Sequence, residues 1–270
     1  MCIRDRRISV GAARDFLLGV RFVDGRGQVI KNGGRVMKNV TGYDLVKLMA
    51  GSFGTLGVLS EVSLKVLPKP ETQETLVLHG LSDVDAVQAL SQAMGSPFEV
   101  TGAAHLSANK QTMLRVEGFE ASVQYRIGKL RELLCSHGVE MSVSAASASQ
   151  TMWADLRDVK PFHGKEGDVW RVSCKPSDGP DLAARASALD HYFDWAGGLV
   201  WLRTDAGTDM RGRLGPFDGH ATLVKATSES RTKLGMFHPE TPGVARISTG
   251  LRAQFDPKGL FNRGLMGTGS

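Results

Sequence analysis

A mostly apolar, strand-like run stands near the start of the chain. Phe16 to Val23 reads as a strand, and Gln28 to Ile30 reads as a second, shorter one. The turn Asp24-Gly25-Arg26-Gly27 between them is a hairpin signal. The pattern then changes to that of a short helix. Thr41 stands where it would cap it, Asp44 follows three residues on as in a weak capping box, and Leu45, Leu48 and Met49 form one apolar face. Gly51 ends the helix. Apolar and polar residues alternate after Val58, with Val62, Leu64 and Val66 set against Ser63 and Lys65, until Pro68 and Pro70 stop the strand. A domain boundary is expected there, closing a first domain at residues 1–70.

From Glu71 the pattern predicts a strand over Thr75 to Leu78, a helix over Asp83 to Met94, and strands near Val100 to His105 and Met113 to Glu117. A helix over Ser122 to Ser136 and a strand over Val139 to Val143 complete the order βαββαβ, that of a ferredoxin-like split unit. A Ser/Ala-rich joint, Ser144 to Gln150, leads to a helix through Trp153 and Leu156. Strands follow near Val169 to Cys174 and Leu199 to Leu202, with a helix from Leu182 to Trp195 between them. Gly207 to Gly219 reads as a loop, Ala221 to Lys225 as a strand and Val244 to Phe255 as an amphipathic helix ended by Asp256-Pro257. No internal repeat is expected beyond the one split unit. The fold class is α+β, with a second domain over residues 71–254 and a tail over 255–270.

Composition narrows the function. With 41% hydrophobic and 23% charged residues the chain is an ordinary globular protein. Cys2, Cys135 and Cys174 are too few and too scattered for a disulfide framework or a zinc site, and they fit a reducing cytoplasm. No apolar run is long enough to span a membrane. The net charge of +5 is spread along the chain, which argues against a nucleic-acid footprint. The seven histidines form no metal-ligand pairing, so no metal site is expected. Glycine is the anomaly: there are 32 in 270 residues, against an average of roughly 7%.

The densest glycine cluster is Gly51-Ser52-Phe53-Gly54-Thr55-Leu56-Gly57-Val58. Closely spaced glycines let a backbone approach an anion and turn several N–H groups towards it, with Ser52 and Thr55 adding hydroxyls. The segment lies after a helix and before a strand, the reverse of a dinucleotide fingerprint, and no Gly-Lys-Ser/Thr closes it as in a phosphate-binding P-loop. By itself it is equally a glycine-rich turn into a strand.

Residues 33–68, GGRVMKNVTGYDLVKLMAGSFGTLGVLSEVSLKVLP, resemble the second half of the FAD-binding domain of the vanillyl-alcohol oxidase/PCMH flavoprotein family. Within it they are similar to the FAD-binding E subunits of bacterial glycolate oxidases. Pro161-Phe162, Val169 to Ser173, Trp201-Leu202, Gly219 to Leu223 and Phe255 to Asn262 extend the resemblance to nearly the whole chain. The resemblance implies half of a PCMH-type FAD-binding domain followed by a ferredoxin-like α+β cap, and a tail that returns to the flavin site. It places Lys38, Asn39, Thr41, Gly42 and Asp44 along the flavin, and Gly51, Ser52, Gly54, Thr55, Gly57 and Val58 along the nucleotide, with Asn262 coming back to the site. It implies oxidation of a 2-hydroxy acid such as glycolate in a complex with a catalytic flavoprotein D subunit and an iron–sulfur F subunit. That complex would be cytoplasmic, reaching the inner membrane face through its partners. A non-catalytic assembly subunit with a degenerate flavin site is the alternative, because the His-rich metal motif of the D subunits is absent. The family's first glycine-rich turn is expected before Ser9, so the chain reads as N-terminally truncated. Asn262 is followed by Arg263-Gly264, where the family has Pro-Gly.

His220, in Gly-His-Ala-Thr at a strand entry, is the candidate for taking a hydroxyl proton, against a structural histidine. Arg171 and Arg203 are candidates for holding a carboxylate, against sheet-edge arginines. Tyr43 either meets the flavin or packs the short helix. The four tryptophans read as core of the second domain.

Overall fold

A computed structural model describes residues 7–36 and 42–266. The chain forms two compact units. Among the described residues, one comprises Gly11–Leu67 and residues 235–266; the other is Pro68–Leu234 with Arg7–Val10. The sequence pattern placed the second division after residue 254, whereas the contacts divide the chain between Leu234 and Gly235.

Two one-turn helices, α1 (Arg7–Val10) and α2 (Ala13–Phe16), lead into β1 (Leu17–Val23). β1 is the middle strand of a three-stranded antiparallel sheet, between β2 (Val29–Gly33) and β3 (Val58–Leu64). The hairpin is closed by buried Asp24, whose Oδ1 accepts from the N–H groups of Arg26 at 2.9 Å and Gln28 at 2.8 Å. This is how an aspartate makes a turn of its own backbone. Register runs from Gly19 opposite Gly33 to Val23 opposite Val29. Helix α3 (Leu45–Met49) lies on one face and buries Val46 and Met49 against Leu17, Val20, Phe22 and Leu56. Its cap is Asp44, which accepts from Lys47 N–H at 3.2 Å; Thr41 lies outside the described residues.

The second unit starts with β4 (Thr72–His79), α4 (Asp83–Met94), β5 (Gly102–Leu106), β6 (Gln111–Gly118), α5 (Glu120–Leu134) and β7 (Met141–Ser144). Their sheet order, β7-β4-β6-β5, is that of the expected split unit. The Ser/Ala-rich joint is already helical, as the start of α6 (Ala146–Arg157). There follow β8 (Asp168–Ser173), α7 (Gly179–Ala186), β9 (Asp190–Asp194), β10 (Leu199–Thr204), α8 (Met210–Leu214), β11 (His220–Lys225) and α9 (Ser228–Leu234). These give the order β11-β8-β10-β9, a second split unit with the same topology as the first. The expectation of no further repeat is therefore corrected. It failed on two elements. The helix predicted to Trp195 stops at Ala186, where Ser187 takes a left-handed φ of 42°, and Asp190–Asp194 turns into a strand. The predicted Gly207–Gly219 loop contains α8, capped by Asp209.

The two repeats join edge to edge through β5 and β9, with His105 opposite Phe193, into one eight-stranded sheet. α4 and α5 bury one core with the first repeat, and α7 and α8 bury another with the second. The opposite face of the sheet is covered in part by α6, through Trp153 and Leu156. A closed polar network seats that helix: Trp153 Nε1 donates to Thr75 Oγ1 at 2.9 Å, Ser149 Oγ lies 2.7 Å from the same hydroxyl, and Gln73 Nε2 donates to Ser149 at 2.8 Å. All four side chains are buried, so the satisfied network selects one seating of the helix. The chain then returns to the first unit with α10 (Pro242–Phe255). Among the described residues no helix is long and apolar enough to cross a membrane.

The junction of the repeats carries an acid between two histidines. His105 is wholly buried, with Nε2 at 3.2 Å from Asp83 Oδ1 and Nδ1 at 2.9 Å from Thr112 Oγ1. His191, on β9, reaches Asp83 Oδ2 at 2.7 Å. Burial alone would push the Asp83 carboxyl up, but its histidine partners outweigh burial and hold it well below the usual carboxylate range. A depressed carboxyl contributes stability that is complete above its unfolded pKa and is lost as pH falls towards the folded value. Asp83→Ala is expected to lower unfolding free energy by about 2 kcal/mol at pH 7. The gap to the parent should narrow as pH drops below about 4. Urea titrations at several pH values check this, and a gap unchanged down to the acid limit would contradict it.

Candidate functional site

The glycine-rich loop leaves α3 and enters β3. Ser52 N–H donates to Met49 O at 3.2 Å and Thr55 N–H to Ser52 O at 3.0 Å, which folds the loop back on the helix end. Gly51, Phe53 and Gly54 all have positive φ, at 88°, 51° and 68°. Thr55 and Leu56 are buried and form the foot of the loop, whereas Gly51, Phe53 and Gly54 are exposed. At Gly57 a Cβ would lie 2.7 Å from Val23 O and 3.0 Å from the Phe22 ring, so only glycine lets β3 start against β1. Val58 follows, opposite Val23 and 58% exposed.

The N–H groups of Phe53, Gly54 and Leu56 find no acceptor among the described residues. An exposed backbone with unused donors and no side chain above Gly51 fits the edge of a nucleotide or its phosphates. Thr55 does not add the hydroxyl donor that its sequence position implied. Its Oγ1 donates inward to Ser52 O at 2.7 Å, because the side chain faces the core.

Of the residues expected along the flavin, Lys38, Asn39 and Thr41 lie outside the described residues. Gly42 is exposed at φ 77°, with open space where a side chain would project. Asp44 is occupied as the α3 cap. Tyr43 is exposed rather than packed on the helix, and its carbonyl accepts from Asn32 Nδ2 at 3.0 Å. Asn262 does come back to the loop, donating from Nδ2 to Phe53 O at 2.8 Å.

The other face of the small sheet holds a cleft of about 350 Å³ that the sequence reading missed. Arg21, Lys31, Arg35 and Glu61 line it over the Gly33-Gly34 backbone, with Arg21 at 3.5 Å from Glu61. Its one legible signal was the period-two placement of Gly19 with Arg21, and of Lys31 with Gly33, on paired strands.

In the second unit Arg171 on β8 and His220 on β11 share one sheet face. His220 pairs with Ser173 and Thr222 with Arg171, so the two side chains project on the same side. The Arg171 guanidinium sits 5.1 Å from the Trp195 ring centroid, a stacking that orients it. His220 is exposed. Arg203 is not available to a substrate. It donates to Asp190 Oδ2 at 2.7 Å and to Glu166 O at 2.8 Å. Burial would raise the Asp190 carboxyl, but bonds from Arg203 and Lys165 prevail and lower it, so this is a structural ion pair. Trp153, Trp170 and Trp201 are core, as expected. The Cys174 thiol is pushed up to about 11 by burial and by Asp178, which makes it a poor nucleophile. Among the described residues no group of three or more His, Cys, Asp or Glu side chains is arranged so that it could hold a metal ion.

No known protein-family model matches the chain. Over 263 residues it is 36% identical to the glycolate oxidase subunit GlcE of Escherichia coli (strain K12), covering 97% of this chain and 68% of that subunit. It is 44% identical over 72 residues to the glycolate oxidase subunit GlcD of Bacillus subtilis (strain 168), covering 27% of this chain and 15% of that one. Its fold is similar to that of alkyldihydroxyacetonephosphate synthase, with a TM-score of 0.63 at 14% identity, covering 95% of this chain and 54% of the other. It is likewise similar to a VAO-type flavoprotein of Myceliophthora thermophila C1, with a TM-score of 0.55 at 13% identity, covering 95% and 57%. The chain thus spans about half the length of these solved structures.

Gly57→Ala is expected to destabilise the first unit by about 1–3 kcal/mol, since the new methyl must displace the Val23 carbonyl or the Phe22 ring. Gly51→Ala, which meets open space, should cost only the left-handed strain of roughly 1–2 kcal/mol. Chemical denaturation of both variants checks the first figure, and an unaffected Gly57→Ala protein would refute the close approach.

Proposed function

Because the chain belongs to the GlcE family of glycolate oxidase subunits, we propose that it is the FAD-binding subunit of a complex that oxidises glycolate or a similar 2-hydroxy acid. The observation that carries this reading is the glycine-rich loop, with Gly51, Phe53 and Gly54 exposed and the N–H groups of Phe53 and Gly54 unused. In it, Gly11–Leu67 and the chain from Gly235 form the flavin-side domain and Pro68–Leu234 the cap.

Bound FAD would supply the two-electron acceptor that converts a 2-hydroxy acid to its 2-oxo acid. Phe53 and Gly54 offer backbone donors to the nucleotide, and Gly51 keeps a side chain out of its path. Gly42 and Val58, both exposed, flank it. Lys38, Asn39 and Thr41 complete the donor set on the flavin side. Arg171, steadied by Trp195, holds the substrate carboxylate, and His220 on the same sheet face takes the hydroxyl proton. Electrons leave through a D subunit and an iron–sulfur F subunit, with the assembly in the cytoplasm at the inner membrane face.

Co-expressed with its partners, the full chain is expected to purify with flavin absorbance, and a colourless complex would refute the reading. In that complex Gly54→Val should abolish flavin and turnover while assembly persists. Loss of assembly alone would favour the non-catalytic assembly subunit. Arg171→Lys should raise KM for glycolate about tenfold with kcat little changed, because an ammonium cannot hold a carboxylate bidentately or stack on Trp195. Steady-state kinetics decides, and an unaltered KM would remove Arg171 from the site.

A further inference from the structure

Phe53 is the one residue other than glycine with positive φ in the glycine-rich loop, a conformation an aromatic side chain rarely holds unaided. Two residues of the returning C-terminal segment grip it. Asn262 Nδ2 donates to its carbonyl at 2.8 Å, and the Phe237 ring meets its ring edge-on at 4.8 Å between centroids. The segment is itself tied down. Gly25 N–H, at the β1–β2 turn, donates to Phe255 O at 2.8 Å. The buried Asp256 carboxylate accepts from Leu260 N–H at 2.9 Å and from Phe261 N–H at 2.8 Å. This closes the chain after α10 into a compact bend that delivers Asn262. Asn262 also has a positive φ, of 37°, which asparagine tolerates better than most residues. A Cβ at Gly54 would lie 3.0 Å from the Asn262 amide, so loop and tail approach closely on both sides of the Phe53–Gly54 peptide.

We propose that the C-terminal segment is a latch on the glycine-rich loop, with Asn262 as a positioning residue. By fixing the Phe53 carbonyl it sets the orientation of the peptide that presents Gly54 N–H. In this role Asn262 acts on the nucleotide through the loop, its own amide being committed to Phe53. The link to nucleotide rests on the flavin-subunit reading above; the latch itself rests only on the geometry of the first unit.

Two variants isolate the bond. Asn262→Gly keeps the left-handed backbone and removes the donor, while Asn262→Asp keeps the shape and replaces the donor with an acceptor. Hydrogen exchange of the full chain without nucleotide should show the two hydrogen-bonded loop amides, Ser52 and Thr55, exchanging about tenfold faster in both variants, with β1 and α10 unchanged. FAD taken up by the complex with its partners should bind about tenfold more weakly, with Tm shifted by less than about 2 °C. Exchange at Ser52 and Thr55 within about twofold of the parent would overturn the latch. Faster exchange with unaltered FAD affinity would overturn its role towards nucleotide. Should the parent complex carry no flavin, the functional reading fails, and the exchange result alone still decides the latch.

Discussion

The approach of Gly57 to the Val23 carbonyl and the Phe22 ring is the constraint on which the candidate site depends. It lets β3 begin directly against β1, so the loop before it must turn sharply over the end of α3. That turn buries Thr55 and Leu56 as its foot and leaves Gly51, Phe53 and Gly54 outside. A methyl group at residue 57 would push β3 away and remove the register that holds the foot. The exposed donors therefore follow from the packing of three strands and one short helix, and from no dedicated side chain.

The chemistry assigned to side chains lies in the second unit and has a different origin. Duplication of a split βαββαβ unit produces one wide sheet, and α6 covers only part of its outer face. In the first repeat Arg115 lies 4.6 Å from the Trp153 ring centroid, beneath that helix. In the second, Arg171 faces Trp195 and only part of it is buried, beside the exposed His220. The same arginine–tryptophan chemistry serves packing in one repeat and is left accessible in the other.

Legibility in the sequence followed the range of the forces involved. The first hairpin was readable because Asp24 makes its turn with its own neighbours, and the first split unit was readable because its helices are long. The second split unit was hidden because α7 and α8 are short and β9, Asp-His-Tyr-Phe-Asp, carries no period-two alternation. Only its pairing with β10 and β5 makes it a strand. At the site, the glycines were legible as a cluster, but which of them face a ligand and which face Val23 was not. Thr55 and Arg203 looked like ligand groups because their partners, Ser52 O and Asp190, are chosen by the fold.

The most direct test is hydrogen exchange of the complex formed by the full chain and its partner subunits, with and without FAD. The account predicts that FAD slows the amides of residues 53–58 while the Asp83 junction in the other unit is unchanged. FAD retained by the complex with exchange at residues 53–58 unaltered would contradict it.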